Sequence, residues 1–378
     1  MSRVNVMQPW LGEEEIAAVT EVLRSGWVAQ GPRVAAFEQA FAARVQARTG
    51  VAVSSCTTGL HLALVVAGVG PGDDVVLPSF SFIATANAAT YVGARPVFAD
   101  VDLTTGNVTA ATVEQALTPR TRAVIAVDQG GVPVDLDPIR KLCDARGITL
   151  VEDAACAAGS TYHDRPVGNG AAITAWSFHP RKLVTTGEGG MVTTDDEAWG
   201  ARARTLREHA MSVSAADRHG SVLAPQEEYS EVGFNFRMTD LQAAVGLVQL
   251  EKLDAMVARR REIAATYTKY LDDVSGLRAV RDPAWGTSNF QSFWVEVEPG
   301  FPLSREELIA SLAGADISAR RGIMASHRQP AYAGKDTGDV PLPNTERLTD
   351  TTLILPVFHQ MTDDDQGRVV EALQRAGA

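Results

Sequence analysis

The chain has 378 residues, of which 45% are hydrophobic and 21% are charged, as in an ordinary globular protein. A formal net charge of -12 and a pI of about 5.1 argue against nonspecific binding to nucleic acid or to an anionic membrane. The sequence shows neither a signal-type start nor an apolar run long enough to span a bilayer, so we expect a soluble, cytoplasmic protein.

The length exceeds what one hydrophobic core usually supports. We therefore expect a large domain over residues 1–240, followed by a linking helix and a smaller domain over residues 241–378. The three cysteines are too few and too scattered for a disulfide framework or a CxxC metal site, and we expect reduced thiols. The 7 histidines show no metal-ligand spacing, so no metal site is predicted.

The first half of the chain predicts a mostly parallel sheet with crossover helices, because short β-branched runs alternate with helical patterns. The first strand is followed by a helix that begins near Thr57. The clearest βαβ unit has strands at 122–127 and 148–153, and two further strands are predicted at 175–178 and 189–195.

The second half begins with one or two long amphipathic helices, predicted over residues 238–271, which we expect to connect the domains. The arginine-rich stretch at 258–262 is expected to form a solvated face of this helix. The segments that follow predict a smaller α+β unit. The apolar face of the helix is predicted to contain Leu241, Ala244, Leu247, Leu250 and Leu253.

Two features stand at the ends of predicted strands. The stretch "VAVSSCTTGLHLALVVAG" gives a strand, a turn of small hydroxyl residues and a helix start whose free N–H groups suit a phosphate. Asp153 closes a buried strand in "ITLVEDAACAAGS", and so lies at the carboxyl edge of the sheet, where α/β proteins bind ligands. Taken alone, the first feature is explained as simply by a capping turn, and Asp153 alone is explained better by a helix cap.

The third feature is Lys182, which lies in "SFHPRKLVTTGEGG" between two predicted strands. Lysine becomes a good nucleophile toward carbonyls when burial or a nearby cation lowers its pKa, and a glycine-rich loop lets a bulky ring approach the backbone. A helix end for a phosphate, an acid for a pyridinium and an amine for an aldehyde suit pyridoxal phosphate (PLP). Together the three features predict a PLP enzyme.

An ordered series of segments resembles the DegT/StrS sugar aminotransferases, which are PLP enzymes of fold type I. The series includes "SGWVAQGPRVAAFEQAFA", "VSSCTTGLHLAL", "PSFSFIATANA", "VEDAACAAGS", "SFHPRKLVTTGEGGMVTTD" and "VGFNFRMTDLQAAVGLVQLEKLD". The series covers nearly the whole chain and is far more specific than any single motif. The resemblance implies an α/β fold with a mostly parallel, mixed seven-stranded sheet flanked by helices, and a smaller α+β C-terminal domain.

The resemblance also implies roles for single residues. Lys182 matches the Schiff-base lysine, and Asp153 matches the acid that pairs with the pyridine nitrogen. Thr57 and Thr58, mainly through their backbone N–H groups, and Ser177 match residues that hold the cofactor phosphate. The implied mechanism is ping-pong transamination, in which the lysine amine moves a proton between the donor Cα and the cofactor.

Further positions match the family or depart from it. Phe82 matches an aromatic that stacks on the cofactor ring, and Asn235 matches an asparagine that reaches the phosphate from the neighbouring subunit, which implies a homodimer with shared sites. Cys56 replaces a more usual glycine, and Cys156 stands where many members carry glutamine or histidine near the cofactor's phenolic oxygen. Asp128 replaces a common histidine, a difference that bears on substrate choice.

The implied reaction moves an amino group from glutamate or glutamine to a nucleotide-linked keto-sugar, with a dTDP-linked 3-keto or 4-keto deoxyhexose preferred and a keto-cyclitol such as scyllo-inosose as the alternative. A PLP-dependent sugar dehydratase, a lyase or desulfurase and a non-catalytic PLP-binding regulator are rival predictions. The dehydratase is disfavoured because it has histidine in place of the lysine. Candidate substrate contacts, each explained equally well by packing or surface exposure, are Trp27, His209, Arg320, Arg321, His327 and Tyr332.

Overall fold

A computed structural model describes residues 3–213 and 226–377 of the chain. The α-helices in these ranges are α1 Glu13–Ser25, α2 Pro32–Arg44, α3 Cys56–Val66, α4 Ala84–Tyr91, α5 Ala110–Ala116, α6 Leu136–Asp144, α7 Glu197–Arg207, α8 Asp240–Leu271, α9 Arg305–Gly314, α10 Pro343–Thr351 and α11 Asp363–Gly377. None of the helices in these ranges combines the length and apolar character that a membrane-spanning segment needs.

The strands form three sheets. Their bounds are β1 Thr49–Val53, β2 Asp74–Pro78, β3 Arg95–Ala99, β4 Thr121–Val127, β5 Thr149–Asp153, β6 Thr161–Tyr162, β7 Arg165–Pro166, β8 Ile173–Ser177, β9 Gly190–Thr194, β10 Leu277–Ala279, β11 Gly286–Thr287, β12 Phe293–Val297, β13 Arg320–Arg321 and β14 Thr352–Leu355. The predicted βαβ unit and the two strands around the lysine loop are confirmed.

The largest sheet has seven strands in the order β1-β9-β8-β5-β4-β2-β3. Only β9 runs antiparallel to its neighbours β1 and β8, and the other pairs are parallel. Most strand residues are buried on both faces, which explains why the strands read as apolar runs in the sequence. The predicted fold class, a mixed and mostly parallel sheet flanked by helices, is confirmed.

Parallel pairing places the carboxyl ends of β1, β2, β4, β5 and β8 at one edge of this sheet. The loops that leave these strands therefore meet, although they are far apart in the sequence. Such an edge is where open α/β sheets bind ligands.

A separate four-stranded antiparallel sheet, β10-β12-β14-β13, lies in the C-terminal part of the chain, and a three-stranded sheet β11-β6-β7 joins the two parts. Helix α8 is one continuous helix that packs on both α1 and α2. The division into domains at residue 240 stays a prediction.

The predicted apolar stripe of α8 is only partly correct. Ala244 and Leu253 are buried, but Leu241, Leu247 and Leu250 are partly exposed in this chain. The buried face instead contains polar Gln249, whose side-chain amide donates to the carbonyl of Trp10 at 2.6 Å. Sequence periodicity missed this face because a polar residue occupies its centre.

The prediction that the arginine-rich stretch is simply solvated is wrong for Arg260. Its side chain is 2% exposed, and Nη1 donates to the carbonyl oxygens of Phe290 and Gln291 at 3.0 and 3.2 Å. Burial lowers the pKa of this guanidinium to about 10. Arg260 therefore fixes the segment before β12 to the long helix.

Candidate active site

A cavity of about 350 Å³ opens at the carboxyl edge of the seven-stranded sheet. Its wall combines the start of α3, the loop between β2 and α4, the residues after β4 and β5, and the loop between β8 and β9. The structure thus brings together six of the predicted site residues, which are Thr57, Phe82, Asp153, Cys156, Ser177 and Lys182.

Lys182 lies in the loop between β8 and β9, with its amine directed at a thiol. Its Nζ donates to Sγ of Cys156 at 3.0 Å. Burial lowers the pKa of Lys182, but the interactions of its amine with Cys156, Cys56 and Asp153 outweigh burial and raise the pKa above its ordinary value. The predicted Schiff-base lysine and the predicted acid therefore face the same cavity.

Asp153 ends β5 and is 4% exposed. Its Oδ2 accepts from Oγ1 of Thr85 at 3.0 Å, and its Oδ1 accepts from the backbone N–H of Ala155 at 3.2 Å and from the thiol of Cys56 at 3.9 Å. Burial raises the pKa of Asp153, while Thr85, Ala155 and the charge of Lys182 oppose that rise. The carboxyl group is thus buried but well supplied with donors.

Two further carboxyl groups lie beside Asp153. Burial raises the pKa of Asp128 well above its ordinary value, and burial raises the pKa of Glu152 to about 7. Asp128 Oδ1 accepts from the N–H of Val134 at 2.9 Å, whereas Oδ2 has no hydrogen-bond partner among the described residues. Neither Asp128 nor Glu152 lines the cavity, so the expected bearing of Asp128 on substrate choice has no direct contact to support it.

Thr58, one of the two predicted phosphate contacts at the start of α3, forms part of the N-terminal cap of this helix. Ser55 Oγ accepts from the N–H of Thr58 at 3.2 Å, and Thr58 Oγ1 accepts from the N–H of Ser55 at 3.1 Å. Thr58 therefore serves the cap and does not line the cavity, whereas Thr57 lies outside this reciprocal pair and does line it.

The glycines after Lys182 bring β9 against the start of α3. A Cβ on Gly190 would stand 2.6 Å from the carbonyl carbon of Ser55 and 2.7 Å from the backbone nitrogen of Cys56, closer than real contacts allow. Because both neighbours are backbone atoms, neither can rotate away. Glycine at this position is what lets the strand and the helix end form one wall of the cavity.

Replacing Gly190 with alanine is expected to lower the free energy of unfolding by about 2 kcal/mol, the usual cost of overpacking. Thermal denaturation would measure the change. Gly70→Ala is the matched control, because a Cβ there meets nothing within 4 Å, and it should change stability by less than about 0.5 kcal/mol. Equal stability losses in the two variants would contradict the close approach of β9 to α3.

Phe82 stands at the mouth of the cavity with 64% of its surface exposed. An exposed ring of this size leaves a flat apolar face available to a bound aromatic group. The predicted stacking of Phe82 on the cofactor stays a prediction.

The other predicted residues lie outside the cavity of this chain. Asn235 is exposed and forms a bridge with Glu208 in the backbone. Trp27 is partly buried with Nε1 donating to the carbonyl of Gln30, and His209 is exposed with a φ of 64°. The roles predicted for these residues stay predictions.

The four predicted substrate contacts from the C-terminal part also lie away from the cavity. Arg320 and Arg321 are exposed on β13, and Arg321 forms an ion pair with Glu306 at 2.6 Å. His327 bonds to other side chains through both ring nitrogens. Tyr332 is 5% exposed, and its hydroxyl donates to Oδ1 of Asn87 at 2.7 Å. The substrate contacts predicted for these four residues stay predictions.

Sequence analysis missed Gln129 and Thr85, which also line the cavity. Gln129 follows β4 and bonds through Nε2 to the carbonyl of Phe80. Thr85 lies in "PSFSFIATANA", a segment that was noted for Phe82 alone. The signal for Thr85 was a hydroxyl four residues after Ser81, at the start of a helix.

The sequence of the chain matches a known protein family over nearly its whole length. Residues 9–374 match the model of the DegT/DnrJ/EryC1/StrS aminotransferase family. The protein belongs to this family. The aminotransferase TlmJ from Streptoalloteichus hindustanus is similar, with 39% identity, a TM-score of 0.91, and coverage of 99% of this chain and 98% of TlmJ.

Two other similar proteins have structures that were solved with a bound ligand. DesI, whose crystal structure contains its TDP-sugar product, has 32% identity and a TM-score of 0.90 over 100% of this chain and 93% of DesI. The putative sugar aminotransferase Spr1654 from Streptococcus pneumoniae, in its PLP form, has 27% identity and a TM-score of 0.92 over 99% and 98% of the two chains. This protein is a PLP-dependent sugar aminotransferase of fold type I.

The residues of the cavity fit PLP. A buried acid, a partly buried amine and the capped start of a helix line one cavity of about 350 Å³, which suits a ring with one phosphate. In this aminotransferase Asp153 would hold the ring nitrogen, Lys182 the aldehyde carbon, and Thr57 with Ser177 the phosphate. When bound, the cofactor supplies the electron sink that stabilises a carbanion at the donor Cα.

Cys156→Ala is expected to lower the pKa of Lys182 in cofactor-free enzyme, because the substitution removes the sulfur that accepts a hydrogen bond from the amine and raises its pKa. Reductive methylation of Lys182, followed by peptide mass spectrometry across a pH series, should then reach half its maximal rate at lower pH. Cys143→Ala is the control, since Cys143 is buried away from the cavity and should leave the midpoint unchanged. An unmoved midpoint in Cys156→Ala would exclude the sulfur as the cause.

Proposed function

We propose that the enzyme transfers an amino group from glutamate or glutamine to a nucleotide-linked keto-deoxysugar, with a dTDP-linked 3-keto or 4-keto hexose preferred. The observation that carries the proposal is that Lys182 and Asp153 face one cavity at the carboxyl edge of the sheet. The likeness to DesI, at 32% identity over the whole chain, supports a TDP-linked sugar as the acceptor.

The chain's own residues have distinct parts in the proposed reaction. With the cofactor bound, the Nζ of Lys182 would act as the general base that takes the proton from the donor Cα and as the general acid that gives it back. Asp153 would stabilise the protonated ring nitrogen of a bound cofactor, because a buried carboxylate favours a positive neighbour. Cys156, within 3.0 Å of Nζ, holds the Lys182 amine inside the cavity.

The proposed assembly is a homodimer whose sites are shared. Asn235 is exposed and lies outside its own chain's cavity, and Val232, three residues earlier, is 87% exposed. The exposed side chain of Val232 is available for burial against a second copy in the proposed dimer. The proposal has Asn235 reach the phosphate in the partner's cavity.

Mixing two inactive variants tests the shared site. If Lys182 and Asn235 act in the same site from different chains, a hybrid of Lys182→Ala and Asn235→Ala chains contains one intact site and regains activity. If both residues act within one chain, every site of the hybrid stays defective. Light scattering of the unmixed protein reports the oligomeric state.

The substrate is tested with a panel of keto-sugars linked to dTDP, UDP and GDP, together with scyllo-inosose, each incubated with glutamate or glutamine. The purified enzyme should be yellow, the donor should bleach the visible band, and mass spectrometry should show amination of one dTDP-linked keto-hexose. Amination of scyllo-inosose alone would replace the proposal by a keto-cyclitol aminotransferase. A band that no amino donor changes would overturn transamination by this chain.

A further inference from the structure

The two oxygens of the Asp153 carboxylate are held unequally. Oδ1 accepts from the backbone N–H of Ala155 and weakly from the thiol of Cys56, whereas Oδ2 has its hydrogen bond from Oγ1 of Thr85 at 3.0 Å. Thr85 is 1% exposed, so its side chain is largely shielded from bulk solvent. A hydrogen bond between a buried hydroxyl and a carboxylate is among the stronger ones in proteins.

The hydroxyl of Thr85 is itself fixed. It lies 2.9 Å from Oγ of Ser81, which is 2% exposed. Because Thr85 donates its one proton to Asp153, it must accept from Ser81. The direction of both hydrogen bonds is therefore determined, and the pair forms a short relay, Ser81 to Thr85 to Asp153.

Residues 326–332, which we name the clamp segment, form hydrogen bonds to the loop that carries Ser81. Ser326 donates through its N–H to the carbonyl of Ser79 at 2.8 Å and through Oγ to the carbonyl of Ser81 at 3.1 Å. The N–H of His327 donates to Oγ of Ser79 at 3.1 Å, and the ring Nδ1 lies 2.7 Å from the same oxygen. These contacts fix the loop that precedes α4.

The clamp segment also fixes the far end of α4. The hydroxyl of Tyr332 donates to Oδ1 of Asn87 at 2.7 Å and lies 3.0 Å from Oγ1 of Thr90. Residues from the C-terminal part of the chain thus hold both ends of the helix that carries Thr85. The cavity mouth is not involved, since neither His327 nor Tyr332 lines it.

We propose that Thr85 is a positioning residue that orients the Asp153 carboxylate toward the cofactor ring, and that the clamp segment holds Thr85 in place through α4. The proposal rests on the role of Asp153 given above. It gives His327 and Tyr332, which are candidates for substrate contact or for packing, a supporting role for the acid.

The test compares PLP affinity, measured by equilibrium dialysis with cofactor-free protein, in three variants. Thr85→Val keeps the shape and removes the hydroxyl, and should raise the dissociation constant about tenfold, the effect of one hydrogen bond to a charged group. Thr85→Ser restores the hydroxyl and should stay within about threefold of the unmodified enzyme. The matched control is Thr345→Val, because Thr345 is fully buried and its hydroxyl has no partner within the described ranges.

A double variant separates positioning from general destabilisation. With Asp153 replaced by asparagine, Thr85→Val should have no further effect on PLP affinity, because the charged acceptor is gone. Tyr332→Phe should weaken PLP about threefold, through one neutral hydrogen bond to α4. Unchanged affinity in Thr85→Val, an equal loss in Thr345→Val, or a full loss in the Asp153→Asn background would each overturn the proposal. Affinity for PLP does not depend on the sugar substrate, so failure here is distinguishable from failure of the proposed function.

Discussion

Replacement of Lys182 by alanine is expected to slow amino-group transfer about a thousandfold, the scale of a lost general acid–base group. The amine is the proposed proton carrier, and its Nζ lies 3.0 Å from Sγ of Cys156 inside the cavity. Rapid mixing of the PLP-loaded variant with glutamate would measure the rate at which the visible band is lost. The unmodified enzyme should lose the band within one turnover under the same conditions.

Two controls accompany the Lys182 variant. Lys182→Arg keeps the positive charge but cannot deprotonate, so it should be as slow as alanine. Added methylamine should restore part of the alanine variant's rate, because a small amine fits where the side chain was. An alanine variant that exchanges amino groups at the unmodified rate would remove Lys182 from the mechanism.

Asp153→Asn is expected to lower the transamination rate by about two-hundredfold to several thousandfold, because breaking a buried charge pair costs roughly 3–5 kcal/mol. Asparagine can hydrogen-bond the ring nitrogen but cannot favour its protonated form. Steady-state rates with a competent keto-sugar, at saturating PLP, would measure the loss. The saturating cofactor separates this effect from weaker binding.

Glu152→Gln is the control for the Asp153 variant. Glu152 is the neighbouring buried acid and accepts from Oγ1 of Thr174 at 3.1 Å, but it does not line the cavity. Loss of the carboxylate at this position should leave the transamination rate within about twofold of that of the unmodified enzyme, because Glu152 does not contact the reacting groups. Equal losses in the two variants would show that net buried charge, and not contact with the ring, matters.

The sequence predicted the large sheet well, because buried parallel strands have continuous apolar runs that alternate with helical patterns. Asp153 ends β5 and Lys182 follows β8, so both lie at the carboxyl edge of the sheet. Residues at this edge come together whatever their spacing in the sequence, so the two could be predicted to lie close to each other. The predictions for these elements depended only on local patterns and on one topological rule.

The errors have a different origin. Arg260 was expected in solvent because its charge is visible in the sequence, whereas the carbonyl groups that accept its hydrogen bonds come from residues 290 and 291. Thr85 was missed because its partner, Asp153, lies 68 residues away in the chain. Buried polar contacts between distant segments leave no periodic signal, so only the folded chain reveals them.

The pairing of β1 with β9 determines when the cavity wall can fold during synthesis of the chain. Val53 pairs with Gly190, so the cavity wall formed by β9 and the start of α3 closes only after residue 190 of 378, about half of the chain, has been synthesised. Contacts between such distant segments form late, because the entropy of closing the intervening loop opposes them. A nascent chain that ends before β9 should therefore not retain PLP. Binding of PLP should follow the closure of this wall.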